Sequence, residues 1–352
     1  MKKNKSTLII TGAGGWLGSS LLELSNKKIF QENFNKIILC TLKKEDIISK
    51  NKLRKISQNN SVKFNWLYGN LLSDTFYKDL RQIINKEENL KVIYAASIIH
   101  AKSANDFLKM NYISLKKFIN EIKNYNLHKF LYISSNSPFG FSNNGIPFNE
   151  NSRYKVLGNY GKSKKFAEIL LLSSFKKDTL NIVRAPWFHG SNMPKRQKLF
   201  LKKAALGRFP IIFPGENKRS LINTRDLALA SINLITSSSK KIIYWVCEEK
   251  SISMNDYIKI IQTSAIKNNI VKKEINKFRV KLFLPPLTSS MFCLLDRLLQ
   301  KFGIYSQVIH VVGELGMNIE ADSSVYRREF SDHIFTTIRE AIDIEIKEAF
   351  DI

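Results

Sequence analysis

One stretch near the start of the chain limits its possible folds more than any other: Thr7 to Leu24, TLIITGAGGWLGSSLLEL. TLII is a short aliphatic run of the kind that forms a buried strand. Gly12, Gly14, Gly15 and Gly18 follow, and then Leu21, Leu22 and Leu24 at helical spacing. Strand, glycine turn and helix start, in that order, predict a cradle for a dinucleotide pyrophosphate. Glycines let the backbone turn tightly and let phosphate oxygens approach. The helix start offers free N–H groups and the positive end of the helix dipole. An ordinary strand-to-helix turn is the plain alternative, and the later residues decide between the two.

At 352 residues the chain exceeds what one core of usual size needs, which predicts a large domain with a smaller lobe. Apolar residues make up 44%, enough for a packed protein rather than a disordered one. The three cysteines, Cys40, Cys247 and Cys293, are scattered and give neither a disulfide framework nor metal-ligand spacing. That suits a reducing compartment, and a cytoplasmic location is expected. The histidines (100, 128, 189, 310 and 333) form no HExxH-type pair, so no metal is expected. The basic opening MKKNKS runs through TLII straight into the glycine turn, which leaves no room for a secretory signal.

The apolar-looking run Leu282 to Leu295 contains Pro285–Pro286 and is too short to span a bilayer. Nothing in the sequence singles out contact with a membrane surface. The formal charge is +26. Its lysines are spread along the whole chain among many Asn and Ile residues, which reads as compositional bias rather than a binding patch. No nucleic-acid module is present, so nucleic acid is not an expected partner.

The following residues predict strands and helices in alternation. Lys36–Thr41 reads as a second strand. An acidic residue usually ends this strand and binds the adenosine ribose. Here Cys40 and Thr41 are followed by Leu42, Lys43 and Lys44, with no carboxylate before Glu45. Lys43 beside Lys44 favours a 2′-phosphate, which leans the choice between NAD and NADP towards NADP. Val62–Leu67 reads as a third strand, and Asn70, followed by Leu71, can offer its amide to an adenine edge. Val92–Ala96 reads as a fourth. The small residues Ala95, Ala96 and Ser97 would let a nicotinamide lie against the backbone, although an Ala pair equally serves helix–strand packing. Asp106–Tyr125 has helical apolar spacing and carries Asn111 in its interior, where Asn is unfavourable unless its side chain has hydrogen bonds to make. Lys129–Ser135 reads as a fifth strand. The alternation predicts an α/β fold with a doubly wound parallel sheet.

The chemistry is expected between Ser134 and Lys164. Tyr160 and Lys164 lie four apart in NYGKSKKFAEILLL and would share a helix face. A neighbouring ammonium, with a positive nicotinamide ring, would favour the phenolate and let the phenol exchange a proton near neutrality. The spacing alone is uninformative, because Tyr112/Lys116 and Tyr125/Lys129 repeat it. Only Tyr160 has a serine, Ser135, 25 residues upstream at the end of an expected strand.

These residues resemble the extended short-chain dehydrogenase/reductase family, the NAD-dependent epimerases and dehydratases that include the nucleotide-sugar epimerases. The matching segments are TGAGGWLG, GNLLSD, VIYAAS, Asn111, ISSNSPFG, YGKSK, IVRAP at 182–186 and GENKRSLINTRDLALA at 215–230, in family order over the first two-thirds of the chain. The resemblance implies a Rossmann-type sheet over residues 1–186, with 221–248 returning to it, and a smaller mixed substrate lobe over most of 187–352. It makes Ser135, Tyr160 and Lys164 a catalytic triad. It places the cofactor on Gly12, Gly15, Trp16, Leu17, Gly18, Lys43, Asn70, Leu71, Ala95, Ala96, Ser97, Tyr160, Lys164 and Pro186. Asn136, Trp187 and Arg219 become substrate contacts, Arg219 by gripping a diphosphate with its planar fork. His189 is either a substrate contact or a structural histidine. A homodimer is implied by the family alone.

Two departures matter. Family dehydratases carry Asp-Glu after the catalytic serine, where this chain has Asn136 and Ser137, so 4,6-dehydration is not expected. Trp187 stands where 4-epimerases carry an Asn. The implied function is hydride transfer between a nicotinamide and a secondary alcohol or ketone, best matched by a nucleoside-diphosphate sugar. A hydroxysteroid-dehydrogenase-like enzyme acting on an apolar alcohol and a catalytically silent cofactor-binding protein are the alternatives. Downstream, Ile242–Cys247 predicts a strand and Ser251–Ile266 a helix capped by Ser251 or Ser253. DSSVYRREF at 322–330 resembles a family helix, and Phe330–Ile346 predicts a last helix.

Overall fold

The structure is a computed structural model that describes residues 5–42, 62–84, 89–143, 145–271 and 283–352. The first strand, β1 (Ser6–Thr11), is wholly buried and leads through the glycine turn into α1 (Trp16–Leu24). After α2 (Lys28–Asn33) come β2 (Phe34–Thr41) and β3 (Lys63–Tyr68). Ser73 caps α3 (Asp74–Ile83) by accepting from the Thr75 N–H, and β4 (Leu90–Tyr94) follows. The helix expected over 106–125 is split into α4 (Ala104–Leu108), a π turn (Lys109–Ile113) and α5 (Ser114–Ile122). Then come β5 (Leu127–Ser135), α6 (Asn159–Ser174) and β6 (Leu180–Ala185).

Beyond β6 the elements shorten. They are β7 (Trp187–His189), α7 (Lys195–Ala205), β8 (Ile211–Ile212), β9 (Lys218–Arg219), β10 (Leu221–Asn223) and α8 (Thr224–Thr236). Next are β11 (Ile243–Trp245), β12 (Ile252–Ser253) and α9 (Met254–Lys267), whose cap is Ser253, one of the two serines expected there. The chain ends with β13 (Phe283–Leu284), α10 (Leu287–Lys301), α11 (Gln307–Leu315), α12 (Ser324–Glu329) and α13 (Ile338–Phe350).

Among the described residues the main sheet has seven strands in the order β11-β6-β5-β4-β1-β2-β3, and every pair is parallel. Both faces are covered, as a parallel sheet requires. One core joins the sheet to α1, α8 and α12 through Leu21, Leu227, Ile235 and Tyr326. The other joins it to α3, α5 and α6 through Phe76, Leu80, Phe118, Ile122 and Leu171. This is the doubly wound, Rossmann-type sheet that the alternation predicts. The strand order reverses between β1 and β4, and in such sheets ligands bind in the crevice beyond that point. A third core, with Leu201, Ile258, Ile342 and Ile346, packs α7, α9 and α13 into a helical lobe.

The last helix begins later than expected, at Ile338 rather than Phe330. Tertiary contacts hold the intervening residues out of a helix. The Tyr326 hydroxyl meets His333 Nδ1 at 2.8 Å, the His333 and Phe335 rings pack on Tyr326, and the Thr336 N–H donates to Asp226.

His189 is the junction between sheet and lobe. It is fully buried, with Nδ1 at 2.8 Å from Glu345 of α13 and Nε2 at 2.7 Å from Glu248. Burial opposes its charge, but the two carboxylates prevail and raise its pKa to about 9. The folded value lies above the unfolded value near ~6.5. The contribution to stability is therefore fully present below about pH 6.5 and is lost as pH rises through about 9. The expected result is that the gap in Tm between the wild type and His189→Gln is widest near pH 6.5 and closes towards pH 9. A gap that does not change with pH would mean that His189 is not the titrating group.

Candidate active site

The glycine turn leaves no room for a side chain at Gly12 or Gly18 and little at Gly15. Gly12 has φ +72°, and a Cβ there would stand 2.9 Å from the Ala96 nitrogen at the end of β4. A Cβ on Gly18 would lie 2.4 Å from the Gly12 carbonyl oxygen. On Gly15 it would lie 3.1 Å from the same atom. The Ala96 N–H donates to Thr11 Oγ1 at 3.2 Å, which ties the ends of β1 and β4 together. Gly15 is the N-cap of α1 and supplies no side-chain cap, so the first-turn N–H groups stay open to an anion. These residues fit a dinucleotide pyrophosphate.

The side chains of Trp16 and Leu17 have other partners. The Trp16 indole N–H donates to the Ser191 carbonyl at 2.8 Å, and its ring meets Phe188 edge-on. Leu17 is buried in the core. Leu17 can therefore offer a cofactor its backbone only. Cys40 points into the opposite core, where burial pushes its thiol well up, and its carbonyl accepts from the Ala13 N–H at 3.0 Å. Lys43 lies outside the described residues. Asn70 is exposed. Its Oδ1 accepts from the Leu72 N–H at 2.9 Å, which orients its amide NH2 group outwards. The Leu71 carbonyl accepts from the Tyr77 hydroxyl.

Ser135 ends β5, and Tyr160 sits in the first turn of α6. Burial raises the Tyr160 phenol, while hydrogen bonds with the Ser135 and Ser97 hydroxyls pull it back. The hydroxyls of Ser97 in the loop after β4, Ser135 at the end of β5 and Tyr160 in α6 thus lie near one another beside the glycine turn. Lys164 is buried one turn along α6 and donates to the Ile133 carbonyl at 2.9 Å, with its ammonium 4.8 Å from the centre of the Tyr132 ring. Burial lowers it to about 7, against the upward pull of Glu168. The groups that lower the phenol are the two serines and, less strongly, the Arg196 guanidinium.

Asn111 does have the hydrogen-bonding task expected of it. Its Oδ1 accepts from the Ser97 hydroxyl at 3.2 Å and the Ile98 N–H at 2.8 Å. Its amide donates to the Ile98 carbonyl at 3.0 Å and to Ser163 at 3.1 Å, and the Ser163 hydroxyl in turn donates to the Tyr160 carbonyl. One buried side chain thus fixes Ser97 and the first turn of α6.

Asn136 lies next to Ser135, whose hydroxyl reaches Asn136 Oδ1 at 3.5 Å. Pro186 is buried between β6 and β7. The half-buried Trp187 packs against Phe200 and Tyr257. Arg219 is buried with its guanidinium 5.1 Å from the Trp187 ring centre. It donates to the Glu314 carbonyl, and its Nε has no partner among the described residues.

Comparison with known proteins places this arrangement. The family model described as "NAD dependent epimerase/dehydratase family" matches residues 8–247. The chain belongs to the NAD dependent epimerase/dehydratase family. A relative in Sinorhizobium fredii, the protein y4nL, is 30% identical over 338 residues, covering 92% of this chain and 90% of the relative. The structure of a Bacillus anthracis dTDP-glucose 4,6-dehydratase with NAD is similar at a TM-score of 0.71 and 15% identity, covering 98% of this chain and 97% of that one. A Bacillus cereus UDP-glucuronic acid 4-epimerase variant, bound to a fluorinated UDP-glucuronic acid and NAD, gives 0.70 and 15%, covering 98% and 99%. The matched residues thus cover the seven-stranded sheet from β1 to β11.

Sequence reasoning missed the groups above Tyr160. Phe107 lies 5.8 Å from its ring, and Tyr305 packs edge-on to Phe107 at 4.9 Å. His100 Nδ1 meets the Tyr305 hydroxyl at 3.0 Å, and Arg196 contacts His100 Nε2. Burial, then Arg196 and His310, lower His100 to about 4. His100 is therefore neutral at pH 7, accepting at Nε2 and donating at Nδ1. These residues come from four separate segments, and no local spacing links them.

The geometry of the turn generates a prediction. Gly18→Ala should lower stability by roughly 1–3 kcal/mol, because backbone atoms rather than a flexible side chain oppose the new Cβ. Thermal denaturation measures this, and an unchanged Tm would show that the turn can relax.

Proposed function

We propose that this member of the family transfers hydride between a nicotinamide cofactor and a secondary alcohol or ketone of a nucleoside-diphosphate sugar, with 4-epimerisation or net oxidoreduction as the outcome. The single observation that carries this reading is the meeting of the Tyr160, Ser135 and Ser97 hydroxyls beside the glycine turn. Residues 1–186 with 221–248 are taken as the cofactor half, and most of 187–352 as the substrate lobe. NAD in the two similar structures supports a nicotinamide cofactor, and the nucleotide sugar named for one of them supports the substrate class.

Gly12, Gly15, Gly18 and the start of α1 would hold the pyrophosphate. Ala95, Ala96 and Ser97 would lie along the nicotinamide half, with Lys164 and Pro186 beside it. When bound, the nicotinamide supplies a hydride acceptor and donor. Tyr160 exchanges the proton of the substrate hydroxyl, and Ser135 holds that oxygen in place. Asn111 keeps Ser97 and the Tyr160 turn in register. Arg219 faces the diphosphate: a buried guanidinium with an unpartnered Nε suits an anion and does not suit an apolar alcohol. Asn136 and Ser137 provide no acid for water elimination, which favours epimerisation or simple oxidoreduction over 4,6-dehydration.

Tyr160→Phe should lower turnover by roughly 10²–10⁴-fold, the usual contribution of one acid–base group, while cofactor binding and Tm are retained. The assay follows nicotinamide absorbance and sugar stereochemistry across a panel of nucleotide sugars. Full turnover by the variant would sink the assignment. Mass spectrometry of small molecules released from the purified protein would identify NAD or NADP directly.

A further inference from the structure

Helix α10 is inside out. Its buried residues are Ser289, Asp296 and Gln300, all polar. Its large apolar residues face solvent: Leu287 is 72% exposed and Met291 67%, and Leu294, Leu295 and Leu298 continue the same side. Phe302 at the tip is 80% exposed, Ile304 follows it, and Val308 and Val311 add the exposed side of α11, Val308 at 70%. Contiguous apolar surface of this kind marks an interaction site.

The inversion does not arise from a loosely held helix. The polar side of α10 is fastened throughout. Ser289 donates to the Val312 carbonyl and accepts from the Gly316 N–H. Cys293 Sγ donates to the Gly313 carbonyl, and a Cβ on Gly313 would stand 3.0 Å from Cys293. Asp296 meets His310 Nδ1 at 2.9 Å and accepts from Gln300, whose own carbonyl oxygen accepts from the Asn159 N–H at 2.6 Å. The tip is held as well, since the Gly303 carbonyl accepts from the Ala104 N–H at 2.9 Å.

Charge identifies what covers the apolar side. Between Phe283 and Gly313 the one acid is Asp296, which is buried. The exposed charges are Arg297 and Lys301, both positive, on a chain of net charge +26. The hairpin's other acid, Glu314 of α11, is only partly exposed and paired with His310 at 3.6 Å, so a second copy related by a two-fold axis would bring basic rim against basic rim. An anionic lipid surface meets both features: apolar side chains enter the acyl boundary while Arg297 and Lys301 reach the headgroups.

We propose that the α10–α11 hairpin is a docking surface that seats this protein on an anionic lipid bilayer, with Leu287, Met291, Leu294, Leu298 and Phe302 entering the interface. The surface lies close to the candidate site. Gln300 holds the residue before Tyr160, and Tyr305 reaches the Tyr160 ring through Phe107. Docking therefore places the candidate site near the bilayer. This inference does not depend on the proposed chemistry.

The test is flotation of the full chain with vesicles of phosphatidylcholine alone or mixed with phosphatidylglycerol. The expected result is co-flotation with the mixed vesicles, weakening as salt is raised. The triple variant Leu294→Gln, Leu298→Gln, Phe302→Gln should lose about tenfold or more in partitioning, because each side chain forfeits apolar burial. Its Tm should change little, since Leu294, Leu298 and Phe302 are 60%, 45% and 80% exposed in the free protein. Ile344→Gln, exposed on α13, should float like the wild type. The proposal is overturned if the wild type floats with neither vesicle, or if Ile344→Gln loses as much as the triple variant. It is equally overturned if size-exclusion chromatography shows that the triple substitution dissolves an oligomer, which would give the face to a second copy.

Discussion

The contact on which the rest of this molecule depends is a backbone one. Gly12 approaches the ends of Ala95 and Ala96 so closely that no Cβ fits between them. This happens where the strand order reverses, so the crevice opens at that point. Three consequences follow. The start of α1 is free to face an anion, the loop after β4 runs along the crevice floor, and Ser97 is delivered to the mouth. Side chains elsewhere are then arranged around a site made first of backbone.

Buried polar groups do the next level of positioning. Asn111 gathers Ser97, Ile98 and Ser163 around a single amide. It sits in a π turn, a local irregularity of the kind often found at functional sites. On the far side of α6, Glu168 accepts from Ser134, Tyr154 and Arg184, with Arg184 at 2.7 Å. Asn111 and Glu168 fix the helix that carries Tyr160 and Lys164 from both sides. Such networks hold one geometry because each unsatisfied member would be costly in a low dielectric. His189 does the same between sheet and lobe, and its bland reading as a structural histidine is the one its two glutamates support.

The terminal lobe obeys a different rule. In the sheet, apolar runs are buried, and hydrophobic pattern leads directly to structure. In α10 the pattern is correct for a helix, but its orientation is reversed, because polar side chains hold the inner side through specific hydrogen bonds. Helical periodicity identifies a face without saying whether protein, water or lipid lies against it.

Much of the sheet and its glycine turn was legible in the sequence. TLIITGAGGWLG, VIYAAS and the run ending in Ser135 carry their structural meaning locally, since strand, glycine turn and helix start are each dictated by a few neighbouring residues. Asn111 was legible as an anomaly, because an Asn inside a helical pattern needs a reason. Tyr160 was separable from two decoy tyrosines only through its distance from Ser135. Tertiary structure alone decided the rest. It directed Lys164 to a backbone carbonyl, turned the Cys40 thiol into the core, engaged the Trp16 indole away from the crevice, and brought His100, Arg196 and Tyr305 over the phenol. It also delayed the start of the last helix to Ile338 through contacts made on Tyr326. The physical reason is the range of the forces. Backbone propensity and turn sterics act over a few residues and are written in local order. Burial, charge pairing and the choice of which helix face meets solvent depend on groups that come together only after the chain has folded.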